Sequence, residues 1–217
     1  RNAREAAEIA AYYGAANAAD TIPLPGNGGK IAEVETDTTE QYPQPDGMLQ
    51  LKILRELAAL MENGSDLNLI MEMVMEGVYR GVGMDRVLFA LSTPDKKGIR
   101  AKFALGQDNE VLSHSFNFGR MPNQRNIFFE VLDQGECLLV DLQKRAEQAV
   151  MVNSAVTSVI GKRPFILSAI TINGKSIGVL YADRSLSGRE LDEESQESFC
   201  HFAKQANMGL SLIASRR

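Results

Sequence analysis

The segment from Phe165 to Asp183 constrains the fold of this chain more than any other feature. Two runs rich in β-branched and apolar residues flank the dipeptide Asn173-Gly174. A two-residue type I′ turn needs positive φ at both of its central positions, and Asn-Gly is the pair that adopts this conformation most readily. The segment therefore predicts a β-hairpin, and a hairpin requires an antiparallel sheet.

Periodic apolar patterns on both sides of this hairpin predict the rest of the domain. Helices are predicted over 51–61, 65–83, 124–132 and 191–214, and strands over 86–92, 99–105, 112–118 and 137–140. Ser65 or Asp66 is expected to cap the second helix, because a side-chain oxygen there can accept from a free backbone N–H group. Together these elements predict an α+β fold in which helices flank an antiparallel sheet.

The first 48 residues differ in composition and charge from the rest of the chain. They hold eight acidic residues against three basic ones, whereas the remaining residues hold 20 of each, so this segment accounts for the net charge of −5. Four of the seven prolines fall between residues 20 and 47, and residues 2–19 are rich in Ala at helical spacing. We therefore expect an N-terminal helix over 1–19, an acidic Pro/Gly-rich linker over 20–47 and a folded domain over 48–217.

Several classes of partner are not expected. The neutral domain lacks the basic footprint of a nucleic-acid binder, and no apolar run reaches the roughly 18 residues that cross a bilayer. Two His and two Cys are too few for a metal site built from those residues, and no cofactor is expected. Cys137 and Cys200 lie far apart without a paired spacing, which argues against a disulfide framework and agrees with a cytoplasmic location. Because the chain begins with Arg1 rather than Met, we expect a fragment of a longer protein.

Three side chains are the candidates for an enzyme, namely Cys200, His201 and Asp183. Adjacent residues on a helix point about 100° apart, which is poor geometry for a nucleophile and its base, and packing is the simpler role for Cys200. Asp183 precedes Arg184, so an ion pair or a cap is the simpler role for its carboxylate. A non-catalytic protein is therefore expected, with a small reductase or hydrolase as the alternative.

Residues 49–214 resemble a GAF domain. The resemblance is carried by Gly-Met-Asp-Arg (83–86), by FFEVLDQGECLLVDL (128–142) and by PFILSAITINGKSIGVLYADRS (164–185) before the last helix. It implies a regulatory domain of signal transduction that senses a small molecule, forms dimers, or does both; a ligand-free scaffold for association is the alternative. The Asn–Lys–Phe–Asp–Glu signature of cyclic-nucleotide binding and the bilin-attaching cysteine are absent, so those activities are not implied.

A second resemblance concerns the beginning of the chain. Residues 1–25 look like the tail that follows an HDOD domain in bacterial proteins that join HDOD to GAF. This resemblance implies that the chain is the C-terminal part of such a protein, with an HDOD domain before it.

The GAF resemblance also implies a ligand pocket over one sheet face, roofed by the short helix and the segment before the hairpin. The candidate ligand-binding residues are Phe89, Phe116, Phe118, Phe128, Phe129 and the loop 151–163, with Lys162 and Arg163, beside Arg120 and Arg125, as cations for an anionic ligand. The same aromatic residues can instead form an ordinary core, and the same cations can belong to a solvated loop.

GAF domains commonly pair through their first and last helices, so the resemblance implies a homodimer. The candidate interface residues are Leu51, Leu54, Phe199, Phe202, Ala206, Leu210 and Ile213, which lie on the apolar stripes of those two helices.

Overall fold

The hairpin predicted over residues 165–183 lies within a six-stranded antiparallel sheet in the computed structural model, which describes residues 42–62 and 66–216. The strands are β1 (Arg86–Ser92), β2 (Gly98–Gly106), β3 (Asn117–Gly119), β4 (Cys137–Val140), β5 (Phe165–Ile172) and β6 (Lys175–Asp183). The helices are α1 (Gly47–Glu62), α2 (Leu67–Glu76), α3 (Asn109–Ser115), α4 (Ile127–Gln134), α5 (Ser154–Ile160) and α6 (Glu193–Ser215). The sheet order β3-β2-β1-β6-β5-β4 confirms the predicted α+β fold.

The turn between β5 and β6 has the predicted geometry. Asn173 has a φ of 51° and Gly174 a φ of 75°, so both central residues are left-handed, as a type I′ turn requires. β6 then pairs with β1, which brings the end of the hairpin beside the beginning of the first strand.

Alternation along the strands separates two cores, one on each face of the sheet. In β1, Val87 and Phe89 face the helices α1, α2 and α6, whereas Leu88 and Ala90 face α3, α4 and α5. We call the first the helix-bundle face and the second the aromatic face. α1 and α6 end together on the helix-bundle face, since Arg216 Nη1 donates to the carbonyl of Met61 at 3.0 Å.

The helix boundaries follow from their caps. The side chain of Asp66 accepts from the backbone N–H of Leu69 at 3.0 Å, which confirms one of the two predicted caps. α2 continues into a π-helical turn over Gly77–Gly81 before Gly83, whose φ is 75°, ends it. Asp192 caps α6 by accepting from the N–H of Ser195 at 2.8 Å. Among the described residues, no helix is both long and apolar enough to cross a bilayer.

The strand predicted over 112–118 is wrong for most of its length. Residues 109–115 form α3, and only Asn117–Gly119 pair with β2. The alternation of Leu112, His114, Phe116 and Phe118 suggested a strand, but spacing over so few residues also fits one helical turn followed by a short strand. The predicted loop 151–163 likewise contains α5, which Asn153 caps by accepting from the N–H of Val156.

The expectation of unpaired cysteines is also wrong. Cys137 at the beginning of β4 and Cys200 on α6 form a disulfide, with Cα atoms 5.9 Å apart and a sequence separation of 63. Sequence spacing carries no information on this contact, because the sheet and the last helix create it only after folding. The predicted helix 1–19 and the linker residues up to 41 lie outside the described residues.

Candidate functional site

Two Asp-Arg dipeptides lie side by side at one end of the sheet. Asp85-Arg86 spans the beginning of β1 and Asp183-Arg184 spans the end of β6, and the antiparallel register places Arg86 opposite Asp183. The backbone N–H of Asp85 donates to the carbonyl of Asp183 at 2.8 Å. Four charged side chains are thereby buried in one place, and each needs partners.

Arg86 and Asp183 form a buried, two-pronged ion pair. Nη2 of Arg86 lies 2.6 Å from Oδ2 of Asp183, and Nε lies 3.2 Å from Oδ1. The hydroxyl of Tyr181 donates to the same Oδ2, and the backbone N–H of Ser185 donates to Oδ1 at 2.9 Å. The remaining contact of the guanidinium is the carbonyl of Ile160 at 3.3 Å. The carboxylate is therefore fully hydrogen-bonded, which is the condition for burying it.

Burial and the charges of this pair shift the pKa values of Tyr181 and Arg86. Burial raises the pKa of Tyr181 well above its ordinary value, and the negative charge of Asp183 adds to the effect. Burial alone would lower the pKa of Arg86, but its hydrogen bonds to Asp183 and the negative charge of that carboxylate, with a smaller contribution from Tyr181, together leave the pKa raised. The site thus holds a phenol whose pKa is raised beside a buried, hydrogen-bonded guanidinium and carboxylate, an arrangement that suits a structural anchor.

A second ion pair, between Asp85 and Arg189, connects the beginning of β1 to the loop before α6. Asp85 accepts from the backbone N–H of Ser187 at 2.6 Å and from Nη2 of Arg189 at 2.9 Å. Arg184 donates to the carbonyls of Val82 at 2.8 Å and Gly83 at 2.9 Å. Burial, followed by the nearby charge of Arg189, lowers the pKa of Arg184. These contacts fasten the end of the π-helical turn to β6.

The buried ion pair adjoins a layer of aromatic side chains on the aromatic face. The aromatic layer consists of Phe116, Phe118, Phe128, Phe165 and Tyr181, each at most 5% exposed. Its ring centroids lie between 4.7 Å (Phe116 to Phe128) and 6.1 Å (Phe116 to Tyr181), the range of mutually packed aromatic pairs. The rings therefore fill the space between the sheet and the short helices α3 and α4.

The structure brings together four of the five phenylalanines predicted to bind a ligand. Phe116, Phe118, Phe128 and Phe129 lie on the aromatic face, but Phe89 lies on the opposite face within the core of the helix bundle. The prediction that Phe89 lies with the other four phenylalanines is wrong. Side chains along β1 alternate between the two faces of the sheet, and those of residues 87 and 89 point away from the aromatic layer.

The predicted cations do not converge on the aromatic layer. Lys162 and Arg163 are exposed in the turn between α5 and β5. Arg120 makes a two-pronged ion pair with Asp133 at 2.8 Å and 2.9 Å, and Arg125 pairs with Glu130 at 2.9 Å. The two arginines on this side are thus occupied by carboxylates of α4.

Four of the seven predicted interface residues are buried within the chain itself. These are Phe199, Phe202, Ala206 and Leu210, all at most 2% exposed in the helix-bundle core. Leu54 and Ile213 are half-buried against the same core, and Leu51 is exposed. The apolar stripe on α6 is wide because it packs against both α2 and the sheet. The prediction that these four buried residues contact a partner chain is corrected accordingly.

The candidate catalytic groups lie in two separate places. Asp183 is buried in its ion pair with Arg86, whereas Cys200 is bonded to Cys137 and His201 is exposed beside it on α6. Sequence reasoning missed Asp85, Arg86 and Tyr181, although the repeated Asp-Arg dipeptide at 85–86 and 183–184 was a visible signal. In the described part of the chain, no group of three or more His, Cys, Asp or Glu residues could hold a metal ion.

Comparison with known proteins gives the family. The sequence model of the GAF domain matches residues 66–210, about two thirds of the chain. The chain therefore belongs to the GAF family, as its sequence motifs predicted. A search of curated proteins finds no significant match.

Solved structures share the fold at low sequence identity. A fragment of a methyl-accepting chemotaxis protein (residues 122 to 287) has a TM-score of 0.57 and 16% identity, covering 76% of this chain and 98% of its own. The phycoerythrobilin-bound GAF domain of a cyanobacterial phytochrome has 0.58 and 17%, with coverages of 77% and 97%. A GAF domain/HD domain protein from Geobacter sulfurreducens has 0.55 and 8%, with coverages of 71% and 98%. These identities show the fold alone, and the HDOD neighbour stays a prediction.

Proposed function

We propose that this GAF domain is a non-catalytic regulatory domain of signal transduction that works as a homodimer through α1 and α6. The observation that carries the proposal is the exposure of large apolar side chains on these two helices. Met48 and Leu51 on α1 are 77% and 41% exposed, and Met208 and Leu212 on α6 are 63% and 39% exposed. Apolar side chains left in water on packed helices favour association with another surface.

The arrangement of the two helices supports the same proposal. α1 and α6 end side by side on the helix-bundle face, and their inner sides are already buried against α2 and the sheet. Their outer sides are therefore free to pack against a second copy, which would form a four-helix bundle across a two-fold axis. This revises the interface predicted from sequence, keeping Leu51 and replacing the buried residues of α6 with Met208 and Leu212.

The packed aromatic layer favours the form of this proposal in which the domain associates without binding a ligand. Five mutually packed rings occupy the region where the family resemblance implies a pocket, so a ligand would have to displace side chains such as Phe116 and Phe128, which are fully buried. Displacing a buried ring opposes binding by several kcal/mol, on the scale of its burial. A small apolar ligand that binds here would act by separating α4 from the sheet.

Sedimentation equilibrium of surface variants tests the proposed dimer. Leu51→Glu and Met208→Glu place a charge in the interface and should weaken the dimer at least about tenfold, equivalent to about 1.4 kcal/mol. Val111→Glu is the matched control, because Val111 is 68% exposed on α3 of the other sheet face. A wild-type monomer at tens of micromolar protein, or equal weakening by the control, would contradict the proposal.

A further inference from the structure

The disulfide connects the edge of the sheet to the last helix. β4 is four residues long, lies at the end of the strand order and, among the described strands, pairs with β5 alone. Cys137 is its first residue, and the bond to Cys200 joins it to α6. An edge strand this short is paired along one side only, so the covalent bond adds a second attachment of β4 to the domain.

The bond lies next to solvent. Cys137 and Cys200 are both half-buried, and Cys200 lines an open depression on the outer surface of α6. The other lining residues are Glu193, Gln196, Glu197, His201 and Lys204. A dissolved thiol can therefore approach the disulfide from the Cys200 side, which is a property of exchangeable disulfides and not of deeply buried ones.

We propose that the Cys137–Cys200 bond is a reversible redox switch, opened by a dithiol reductant, that controls the attachment of β4 to α6. A thiolate of the reductant attacks Sγ of Cys200, the Sγ–Sγ bond breaks, and Cys137 leaves as a thiolate that takes a proton from water. The second thiol of the reductant then attacks the mixed disulfide and releases the Cys200 thiolate, which is protonated in turn. Two electrons pass to the protein, and the reductant is left as its own disulfide.

The fold persists after the disulfide is reduced, which distinguishes a redox switch from a disulfide that the fold requires. Backbone pairing still joins β4 to β5 at four positions, from Cys137 opposite Ser168 to Val140 opposite Phe165. Phe199 and Phe202, on either side of Cys200 along α6, are buried in the helix-bundle core and keep the helix docked. Reduction therefore loosens β4 and the outer side of α6 only. Transmission of this loosening through α6 to a second copy of the chain rests on the proposed function.

Thermal unfolding and hydrogen exchange test the switch itself. For a loop of 63 residues, dithiothreitol should lower the melting temperature by roughly 10 °C and reoxidation should restore it. After reduction, exchange of the β4 amides should accelerate at least tenfold more than exchange of the β1 amides, which report global unfolding. The Cys137→Ser/Cys200→Ser double variant should match the reduced protein and not respond to dithiothreitol.

Two results would overturn the switch. One is a native protein whose cysteines stay unbonded under oxidising conditions, measured by thiol counting of the wild type. The other is a bond that opens only when the protein unfolds, seen as resistance to dithiothreitol with no change in β4 exchange. The dimer is measured separately by sedimentation of both redox forms, so an unchanged dimer would refute transmission through α6 without touching the switch.

The charges around the depression give a second test of the attack at Cys200. Two carboxylates, Glu193 and Glu197, face one ammonium group, Lys204, so a cationic thiol should react faster than an anionic one. The ratio of rates for cysteamine and mercaptopropionate, each rate divided by the concentration of the thiolate, should be several-fold and should fall in Glu197→Gln. Glu147→Gln, an exposed change elsewhere, is the control. Equal ratios in all three proteins would contradict attack at Cys200.

Discussion

At the residue scale, two fully buried carboxylates of this domain, Asp85 and Asp183, each form an ion pair with an arginine that is distant in sequence. Arg86 of β1 pairs with Asp183 of β6, and Asp85 pairs with Arg189, while Arg184 uses backbone carbonyls. Breaking one partner of a buried pair leaves an uncompensated charge, which costs more than the intact pair contributes. These residues should therefore be intolerant of even isosteric neutral changes.

Asp183→Asn should lower the free energy of unfolding by about 3–5 kcal/mol, because it leaves the Arg86 guanidinium buried without a counter-charge. Asp133→Asn is the matched control. It removes a two-pronged pair with Arg120 at 2.8 Å, against 2.6 Å for Arg86 and Asp183, but the Asp133 side chain is 59% exposed, so the loss should stay below about 1 kcal/mol. Urea denaturation at pH 7 measures both, and equal losses would show that the buried pair has no special role.

Tyr181→Phe tests the phenol next to this pair through its pH dependence. The folded-state pKa of Tyr181 is raised, so its stabilising contribution is complete below about pH 10, the ordinary pKa of tyrosine, and declines above it as the unfolded chain ionises. At pH 8 the variant should be about 1–2 kcal/mol less stable, owing to the lost hydrogen bond to Asp183. Above pH 10 the difference should narrow by about 1.4 kcal/mol per pH unit. A constant difference from pH 8 to 11 would contradict this account.

At the scale of elements, the close approach of α2 and α6 depends on a glycine. Gly77 begins the π-helical turn, and a Cβ there would overlap the ring of Phe202 on α6. Phe202 is 1% exposed, so its ring has no free space to move into. The pairing of these helices therefore needs glycine at position 77.

Gly77→Ala should destabilise the domain by about 1–3 kcal/mol, although alanine is the better helix former by about 1 kcal/mol. Gly119→Ala at the end of β3 is the control, because a Cβ there meets no atom within 4 Å. Chemical denaturation of the two variants gives the comparison. A Gly77→Ala protein as stable as the wild type would mean that the two helices separate easily.

Local signals account for the elements that were correctly predicted from sequence. The adjacent residues Asn173 and Gly174 form the turn of their hairpin, and Asp66 caps its helix by accepting from the N–H of Leu69, three residues later. The failures concern contacts between distant residues: Arg86 lies 97 positions from Asp183, and Cys137 lies 63 from Cys200. A sequence pattern shows which side of α6 is apolar, but not whether the chain or a partner covers that side, which is why the predicted interface included Phe199 and Phe202.

At the scale of the whole molecule, one sheet separates two different cores. The helix-bundle face is built mainly from aliphatic residues and methionines, and the aromatic face holds the packed rings beside the buried ion pair. The regulatory proposal assigns association to the first face, with the disulfide at its margin. The aromatic face is then a closed core in the ligand-free state.

Native mass spectrometry of the purified protein tests the central claim, that this GAF domain is a regulatory homodimer. It reads the number of chains and any retained small molecule in the same spectrum. The account predicts a dimer at low micromolar protein with the mass of two chains and no added ligand. A monomer at tens of micromolar would contradict the association proposal, and a co-purified ligand bound in the aromatic layer would contradict the ligand-free variant.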